Sequence, residues 1–123
     1  MNEKAYFFDS YAIIEVLRAG ENYRQYFDAY VITTKLNLFE VAHALTKNGA
    51  FKEAEIMLDQ YHAALVDFNK QVIKEAVLLK IEYKKRKLSM ADCIGYVTAK
   101  HLQVRFLTGD NGFRDMENVE FVK

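Results

Sequence analysis

Short apolar segments alternate with helical segments along almost the whole chain, and this alternation leaves few architectures open. Strands are predicted at about 5–8, 30–33, 64–68, 104–107 and 119–122. Helices are predicted at about 10–19, 22–29, 35–48, 51–62 and 70–87, a further helix begins at Ser89, and 111–116 form a helical turn. Strands that alternate with helices favour a mostly parallel sheet covered on both faces. The predicted fold is therefore a three-layer α/β/α fold.

The length of 123 residues predicts one domain, 1–123, and the chain has no proline and no linker-like stretch. Basic and acidic residues balance at 17 each, so net charge alone indicates no nucleic-acid partner. The single cysteine, Cys93, excludes a disulfide within the chain. No apolar run reaches the roughly 20 residues of a membrane-spanning helix, and the first residues do not resemble a signal peptide. We expect a cytoplasmic protein without membrane contact.

Four acidic residues interrupt these apolar segments. Asp9 and Asp110 each follow a predicted strand, Glu40 lies within an apolar helix, and Asp92 lies in the first turn of another. Two like charges about 4 Å apart cost on the order of 4 kcal/mol at an effective dielectric near 20. A divalent cation removes this repulsion, and oxygen ligands favour Mg²⁺ or Mn²⁺. Because sites of parallel sheets lie beyond the carboxyl ends of the strands, Asp9 and Asp110 are predicted to share a cleft.

Each of these acids also has a purely structural interpretation. A carboxylate at Asp92 would offset the dipole of its helix, by about 0.3–1 kcal/mol. Glu40 lies with Leu36, His43 and Lys47 on a helix stripe typical of a solvated face. Asp9 and Asp110 could be ordinary turn residues after strands. The four acids together, with the family resemblance given below, favour a metal site.

Five short segments give the chain a resemblance to a known family. They are 7–10 (Phe-Phe-Asp-Ser), 37–41 (Asn-Leu-Phe-Glu-Val), 88–92 (Leu-Ser-Met-Ala-Asp), 107–113 (Leu-Thr-Gly-Asp-Asn-Gly-Phe) and 118–122 (Asn-Val-Glu-Phe-Val). In this order and spacing they resemble the PIN domain, the fold of VapC-type toxin ribonucleases. Tyr11 and Gly112 depart from the family pattern, since many members have a small polar residue at the first position and some carry an acid at the second. Asp115 could supplement Asp110.

The resemblance implies a Mg²⁺- or Mn²⁺-dependent endoribonuclease, the toxin of a toxin–antitoxin pair. The implied metal ligands are Asp9 and Asp110, with Asp92 and Glu40 acting directly or through water. The hydroxyls of Ser10 and Thr108 would orient a carboxylate, a water or the scissile phosphate. The implied partners are an RNA substrate, a second copy in a homodimer, and an antitoxin whose basic residue enters the acidic cleft.

A run of four cations ends the predicted helix 70–87. Cations at a helix end suit the dipole, and a solvated helix end explains them without any function. The alternative is a phosphate-contacting patch, because the run directly precedes the Ser89–Asp92 segment. The candidate RNA-binding residues are Lys84, Lys85, Arg86, Lys87 and Lys47.

Three other classes of function compete with the ribonuclease. The first is a PIN-like RNA- or protein-binding module that has lost catalysis. An aspartate-dependent phosphatase usually needs a second Asp two residues after its nucleophile, and Tyr11 occupies that position. A nucleotide-binding protein would need a glycine-rich phosphate loop, which none of the five glycines forms.

Overall fold

A computed structural model describes residues 4–123. Its centre is a sheet of four strands, with the order β2-β1-β3-β4 and every neighbouring pair parallel. The strands are β1 (Ala5–Phe8), β2 (Tyr30–Ile32), β3 (Arg105–Thr108) and β4 (Val119–Phe121). The predicted three-layer α/β/α fold with a parallel sheet is confirmed.

Within residues 4–123, five α-helices and four short 3₁₀-helices connect the strands. The α-helices are α1 (Ser10–Leu17), α2 (Lys35–Lys47), α3 (Phe51–Gln60), α4 (Lys70–Glu82) and α5 (Met90–His101). The 3₁₀-helices are Glu21–Tyr26, His62–Ala64, Lys84–Arg86 and Asn111–Phe113. None of the helices within residues 4–123 is long and apolar enough to cross a bilayer.

The strands are apolar on both sides because each side contributes to a separate core. Side chains alternate along a strand, so Phe7 enters one core with Phe106, while Phe8 and Leu107 enter the other. The first core lies against α4 and α5, and the second lies against α1, α2 and α3. Two cores of this kind hold the strand ends, and the loops that follow them, in fixed positions.

Helix α5 lies close to the sheet because it has a glycine at the contact. A Cβ atom added to Gly95 would lie 2.7 Å from the ring of Phe7 and 3.2 Å from the ring of Phe106. Both rings are fully buried and stack on each other with their centroids 5.6 Å apart, so neither can turn aside. Gly95 therefore sets the distance between the sheet and the helix whose first turn contains Asp92.

Three predicted elements differ from the structure. The strand predicted at 64–68 is only a single bridge between Thr33 and Leu65, because the 3₁₀-helix His62–Ala64 precedes it and Asn69 already caps α4. The helix predicted at 22–29 is the 3₁₀-helix Glu21–Tyr26.

The helix predicted at 70–87 is also too long. Helix α4 ends at Glu82, and after a 3₁₀-turn Lys87 adopts a left-handed conformation with φ of 57°. The cationic run therefore belongs to a turn rather than to a helix end.

The 3₁₀-helix Glu21–Tyr26 is fastened to β4 and the residues after it. The buried Tyr23 donates its hydroxyl to the carbonyl of Val122 at 2.7 Å, and the hydroxyl of Tyr26 donates to Glu120 at 2.6 Å. These bonds join parts of the chain that are 99 and 94 residues apart.

We expect Gly95→Ala to lower the free energy of unfolding by about 1 kcal/mol. Overpacking a core costs about 1–3 kcal/mol, and the better helix propensity of alanine returns about 1 kcal/mol. Denaturant unfolding measures the change. In a Phe7→Leu background, where the ring no longer occupies the space, the same substitution should be neutral or stabilising. An equal loss in both backgrounds would show that the close approach to Phe7 is not the cause.

Candidate active site

The chain places its candidate site where the direction of the sheet connections reverses. Strand β1 lies between β2 on one side and β3 on the other, so the crevice between the ends of β1 and β3 is the switch point of the sheet. Asp9 follows β1 directly, and Asp110 follows β3 after one intervening residue. We call the region outside these strand ends, with Asp9, Glu40, Asp92 and Asp110, the acidic crevice.

Asp9 is a buried carboxylate with 1% of its surface exposed. It caps α1, and its Oδ1 accepts a hydrogen bond from the backbone N–H of Ala12 at 2.9 Å. Burial raises the pKa of Asp9 from 3.8 to about 8, and the charges of Asp92 and Asp110 add to the rise. Hydrogen bonding to Thr108 and Ala12 offsets only part of it. Without a cation, Asp9 is therefore mostly protonated at neutral pH.

Asp92 belongs both to the capping box of α5 and to the acidic crevice. Its Oδ2 accepts the backbone N–H of Ser89 at 2.8 Å, and the Ser89 hydroxyl accepts the N–H of Asp92 at 3.0 Å, which completes a capping box. Burial raises the pKa of Asp92 to about 6, and the negative charges of Glu40 and Asp110 contribute. The structural and functional interpretations of Asp92 are compatible.

Glu40 and Asp110 are held by the segments next to the sheet. The hydroxyl of Ser10 donates to Oε1 of Glu40 at 2.6 Å, so this half-buried carboxylate is directed to α1, whereas His43 and Lys47 are exposed. Asp110 accepts the N–H of Gly112 at 2.9 Å and donates its own N–H to the Thr108 hydroxyl at 3.0 Å. The solvated-face interpretation therefore applies to His43 and Lys47 but not to Glu40.

The four carboxylates lie within electrostatic reach of one another, but they do not form a closed coordination shell. Within residues 4–123, no three His, Cys, Asp or Glu side chains are arranged closely enough to hold a metal ion. Each of the four acids also uses an oxygen for a hydrogen bond within the chain. The donor set of carboxylates and hydroxyls nevertheless fits a hard cation, and Mg²⁺ usually retains several waters between itself and protein ligands.

Two buried polar residues near the site were given no role in the sequence analysis, although Asn37 belongs to the segment 37–41. Asn37 and Thr34 have no exposed surface, and Asn37 lies within hydrogen-bonding distance of both Ser10 and Thr34. Helical periodicity could have revealed Asn37, because it is one turn before Val41 and shares its buried face. Thr34 could have been recognised as the cap of α2, three residues before Asn37.

The two departures from the PIN pattern have local explanations. The ring of Tyr11 fills the space that a side chain at Gly109 would need, since a Cβ there would lie 2.3 Å from it. A Cβ at Gly112 would lie 2.9 Å from Leu88 and 3.3 Å from the carboxylate of Asp110, so an acid at this position would require a shift. Asp115 is exposed with φ of 68°, and its contribution to the site stays a prediction.

The cationic run lies against the loop that contains Asp110. Arg86 donates to the carbonyls of Gly112 and Arg114 at 3.1 and 2.8 Å, so its guanidinium fastens the turn to this loop. All four members of the run are exposed, Arg86 included, as is Lys47 at the end of α2. Their contact with RNA stays a prediction.

The fold and the acidic crevice together define a parallel α/β protein with acidic residues beside the switch point of its sheet. The family model described as PIN domain matches residues 6–119, and the chain belongs to this family, whose members are generally nucleases. A comparison with curated proteins finds no match.

Two solved structures have the same fold. One is a toxin–antitoxin complex from Klebsiella pneumoniae, with 18% identity and a TM-score of 0.72 over 94% of this chain and 95% of that chain. The other is PAE2754 from Pyrobaculum aerophilum, with 14% identity and a TM-score of 0.67 over 98% of this chain and 92% of that chain.

We expect the stability of the metal-free protein to fall as pH rises from about 4 to about 8. The pKa of Asp9 is raised on folding, so between 3.8 and about 8 the folded state binds more protons than the unfolded state. Asp92 adds to the fall below about pH 6. Thermal melts in EDTA across this range measure the effect.

Asp9→Asn should make the stability of the metal-free protein nearly independent of pH between pH 6 and 8, because asparagine keeps the capping oxygen but does not titrate. The exposed residue Asp67 supplies a matched control, and Asp67→Asn should keep the wild-type slope. A wild-type slope in Asp9→Asn would mean that Asp9 is ionised throughout the range.

Proposed function

We propose that this protein is a Mg²⁺- or Mn²⁺-dependent endoribonuclease that acts as the toxin of a toxin–antitoxin pair. The observation that carries the proposal is the position of the buried carboxylates Asp9 and Asp92 beside other acids. Burial is the main cause of the raised pKa of Asp9 and of Asp92, and neighbouring negative charges add to it. A buried carboxylate with a raised pKa must release its proton when it binds a cation. Membership of a family of nucleases supports the assignment of the reaction class.

In the proposed mechanism Asp9 and Asp110 are the central ligands, and Asp92 and Glu40 bind directly or through water. A bound cation would lower the pKa of a water and neutralise charge on the phosphate. The chain itself orients the ligands, because Ser10 holds Glu40 and the hydroxyl of Thr108 holds the turn of Asp110. Exposed Lys84, Lys85, Lys87 and Lys47 would attract the RNA backbone, while Arg86 keeps the loop of Asp110 in place.

We also propose an antitoxin and a second copy of the chain as partners. The fold shared with a toxin–antitoxin complex supports the first of these. Large apolar side chains that remain exposed support both, since such surfaces are typical of protein interfaces. They include Phe39 and Leu58 beside a cavity of about 720 Å³ between α2 and α3, and Val77, Leu78 and Ile81 on α4.

The loose spacing of the carboxylates favours a second candidate, a PIN-like module that binds RNA or protein without catalysis. No three of the acidic, histidine or cysteine side chains in the described part of the chain form a ready metal site. The two candidates differ in whether the acids are needed for turnover.

The purified protein should cleave single-stranded RNA in the presence of Mg²⁺ or Mn²⁺, and EDTA should abolish the cleavage. Asp9→Asn and Asp110→Asn should each reduce cleavage by orders of magnitude, because each removes a charge that the cation requires. Asp67→Asn, prepared identically, should retain wild-type activity and controls for a contaminating nuclease. Equal cleavage by all four proteins would refute the ribonuclease assignment, and RNA binding without any cleavage would favour the inactive module.

Replacing Lys84, Lys85 and Lys87 with Gln should weaken RNA binding and flatten its salt dependence. Each lost contact with single-stranded RNA should lower the slope of log affinity against log salt by about 0.7. Binding titrations at several salt concentrations measure the slope. The exposed residues Lys52, Lys70 and Lys74 supply a matched triple control that should leave it unchanged. Equal slopes for both triple variants would identify the cationic run as a solvated turn.

A further inference from the structure

A chain of hydrogen bonds begins in the buried interior and ends on a carboxylate of the acidic crevice. The hydroxyl of Thr34 donates to Oδ1 of Asn37 at 2.8 Å, and Nδ2 of Asn37 donates to Oγ of Ser10 at 3.3 Å. The hydroxyl of Ser10 then donates to Oε1 of Glu40 at 2.6 Å. We call these four residues the Thr34–Glu40 relay. It joins the start of α1 to the first two turns of α2.

The donors and acceptors fix the direction of this relay. The hydroxyl oxygen of Thr34 already accepts the backbone N–H of Asn37 at 3.4 Å, so its proton is free to be donated to Oδ1. This bond orients the amide with Nδ2 towards Ser10. The Ser10 hydroxyl, having accepted that N–H, can donate to the carbonyl of Asn37 at 3.5 Å or to Glu40 at 2.6 Å. The shorter, charge-assisted bond to Glu40 is much the stronger.

At the position of Asn37, burial of an apolar side chain would cost less free energy than burial of an amide. It is fully buried, on the helix face that also contains Val41. Burying an amide is unfavourable unless all its groups are hydrogen-bonded. The relay gives both Oδ1 and Nδ2 of Asn37 a partner, and no buried side-chain nitrogen or oxygen within residues 4–123 lacks one. The buried amide thus donates a hydrogen bond to Ser10, which in turn donates one to Glu40.

We propose that Asn37 is a positioning residue that sets Ser10 as a fixed donor to Glu40 and leaves the second carboxylate oxygen of Glu40 available to a cation or its water. Hydrogen bonds in such a chain polarise one another, so the Thr34 hydroxyl contributes to the orientation of Ser10. The proposal rests on the metal-dependent function proposed above. It narrows the role of Ser10, whose proton is committed to Glu40 and is not available for the scissile phosphate.

The test is the affinity of the metal-free protein for Mn²⁺, measured by titration calorimetry. Groups that orient metal ligands typically change metal affinity by 10- to 100-fold when mutated. We expect Asn37→Leu to weaken Mn²⁺ binding about tenfold and Ser10→Ala to do the same. Because both changes break one relay, Asn37→Leu combined with Ser10→Ala should weaken binding no further.

Two further variants separate positioning from general stability. Thr34→Val should also weaken Mn²⁺ binding, and Thr34→Ser should restore it, since serine returns the hydroxyl. Thr98 is a buried threonine of α5 whose hydroxyl donates to the carbonyl of Ile94, outside the relay. Thr98→Val is therefore the matched control, with unchanged affinity expected. If Asn37→Leu does not fold, the Thr34 pair still tests the relay.

The outcomes distinguish this inference from the proposed function. Wild-type affinity in Asn37→Leu and in Thr34→Val, or fully additive losses with Ser10→Ala, would overturn the relay while leaving the ribonuclease intact. Mn²⁺ binding that follows the predicted pattern without RNA cleavage would support the relay and refute the ribonuclease. A wild-type protein that does not bind Mn²⁺ would overturn both.

Discussion

Burial of the Asp9 carboxylate at the end of the central strand is the constraint on which the site depends. Removal from water raises its pKa to about 8, and nearby Asp92 and Asp110 make ionisation still less favourable. The fold tolerates this group because its oxygen caps α1 through the N–H of Ala12. A carboxylate that is both cap and candidate ligand cannot be moved without disturbing the helix. The protein therefore keeps a costly group in a fixed place.

The other three acids repeat this double use. Asp92 completes the capping box of α5, Asp110 caps the turn after β3, and Glu40 accepts the Ser10 hydroxyl. Each bond holds one oxygen in a known direction and leaves the other for an external partner. These hydrogen bonds therefore fix the three side chains in place beside Asp9.

The sequence predicted the sheet and its acids because both depend on local signals. Buried strands can be recognised by their apolar composition, and an acid that directly follows a parallel strand must lie at the carboxyl end of the sheet. The prediction of a strand at 64–68 was wrong. The apolar composition of the segment suggested a strand, but composition does not show whether a neighbouring strand is there to pair with it, and only a single bridge to Thr33 forms. No role was predicted for Asn37 for a related reason, because its role depends on a hydrogen bond to Ser10 on another helix. Arg86 likewise has partners that only the folded chain brings near it.

The strand order also decides when the crevice can exist during synthesis. Phe7 in β1 pairs with Phe106 in β3, so the central strand waits for a partner made about a hundred residues later. Closing so long a loop is slow, because the cost in chain entropy precedes the reward in contacts. While Asp9 has left the ribosome and Asp110 has not, the nascent chain therefore has an incomplete acidic crevice. Whatever chemistry the acids perform starts only after the far half of the sheet has left the ribosome and docked.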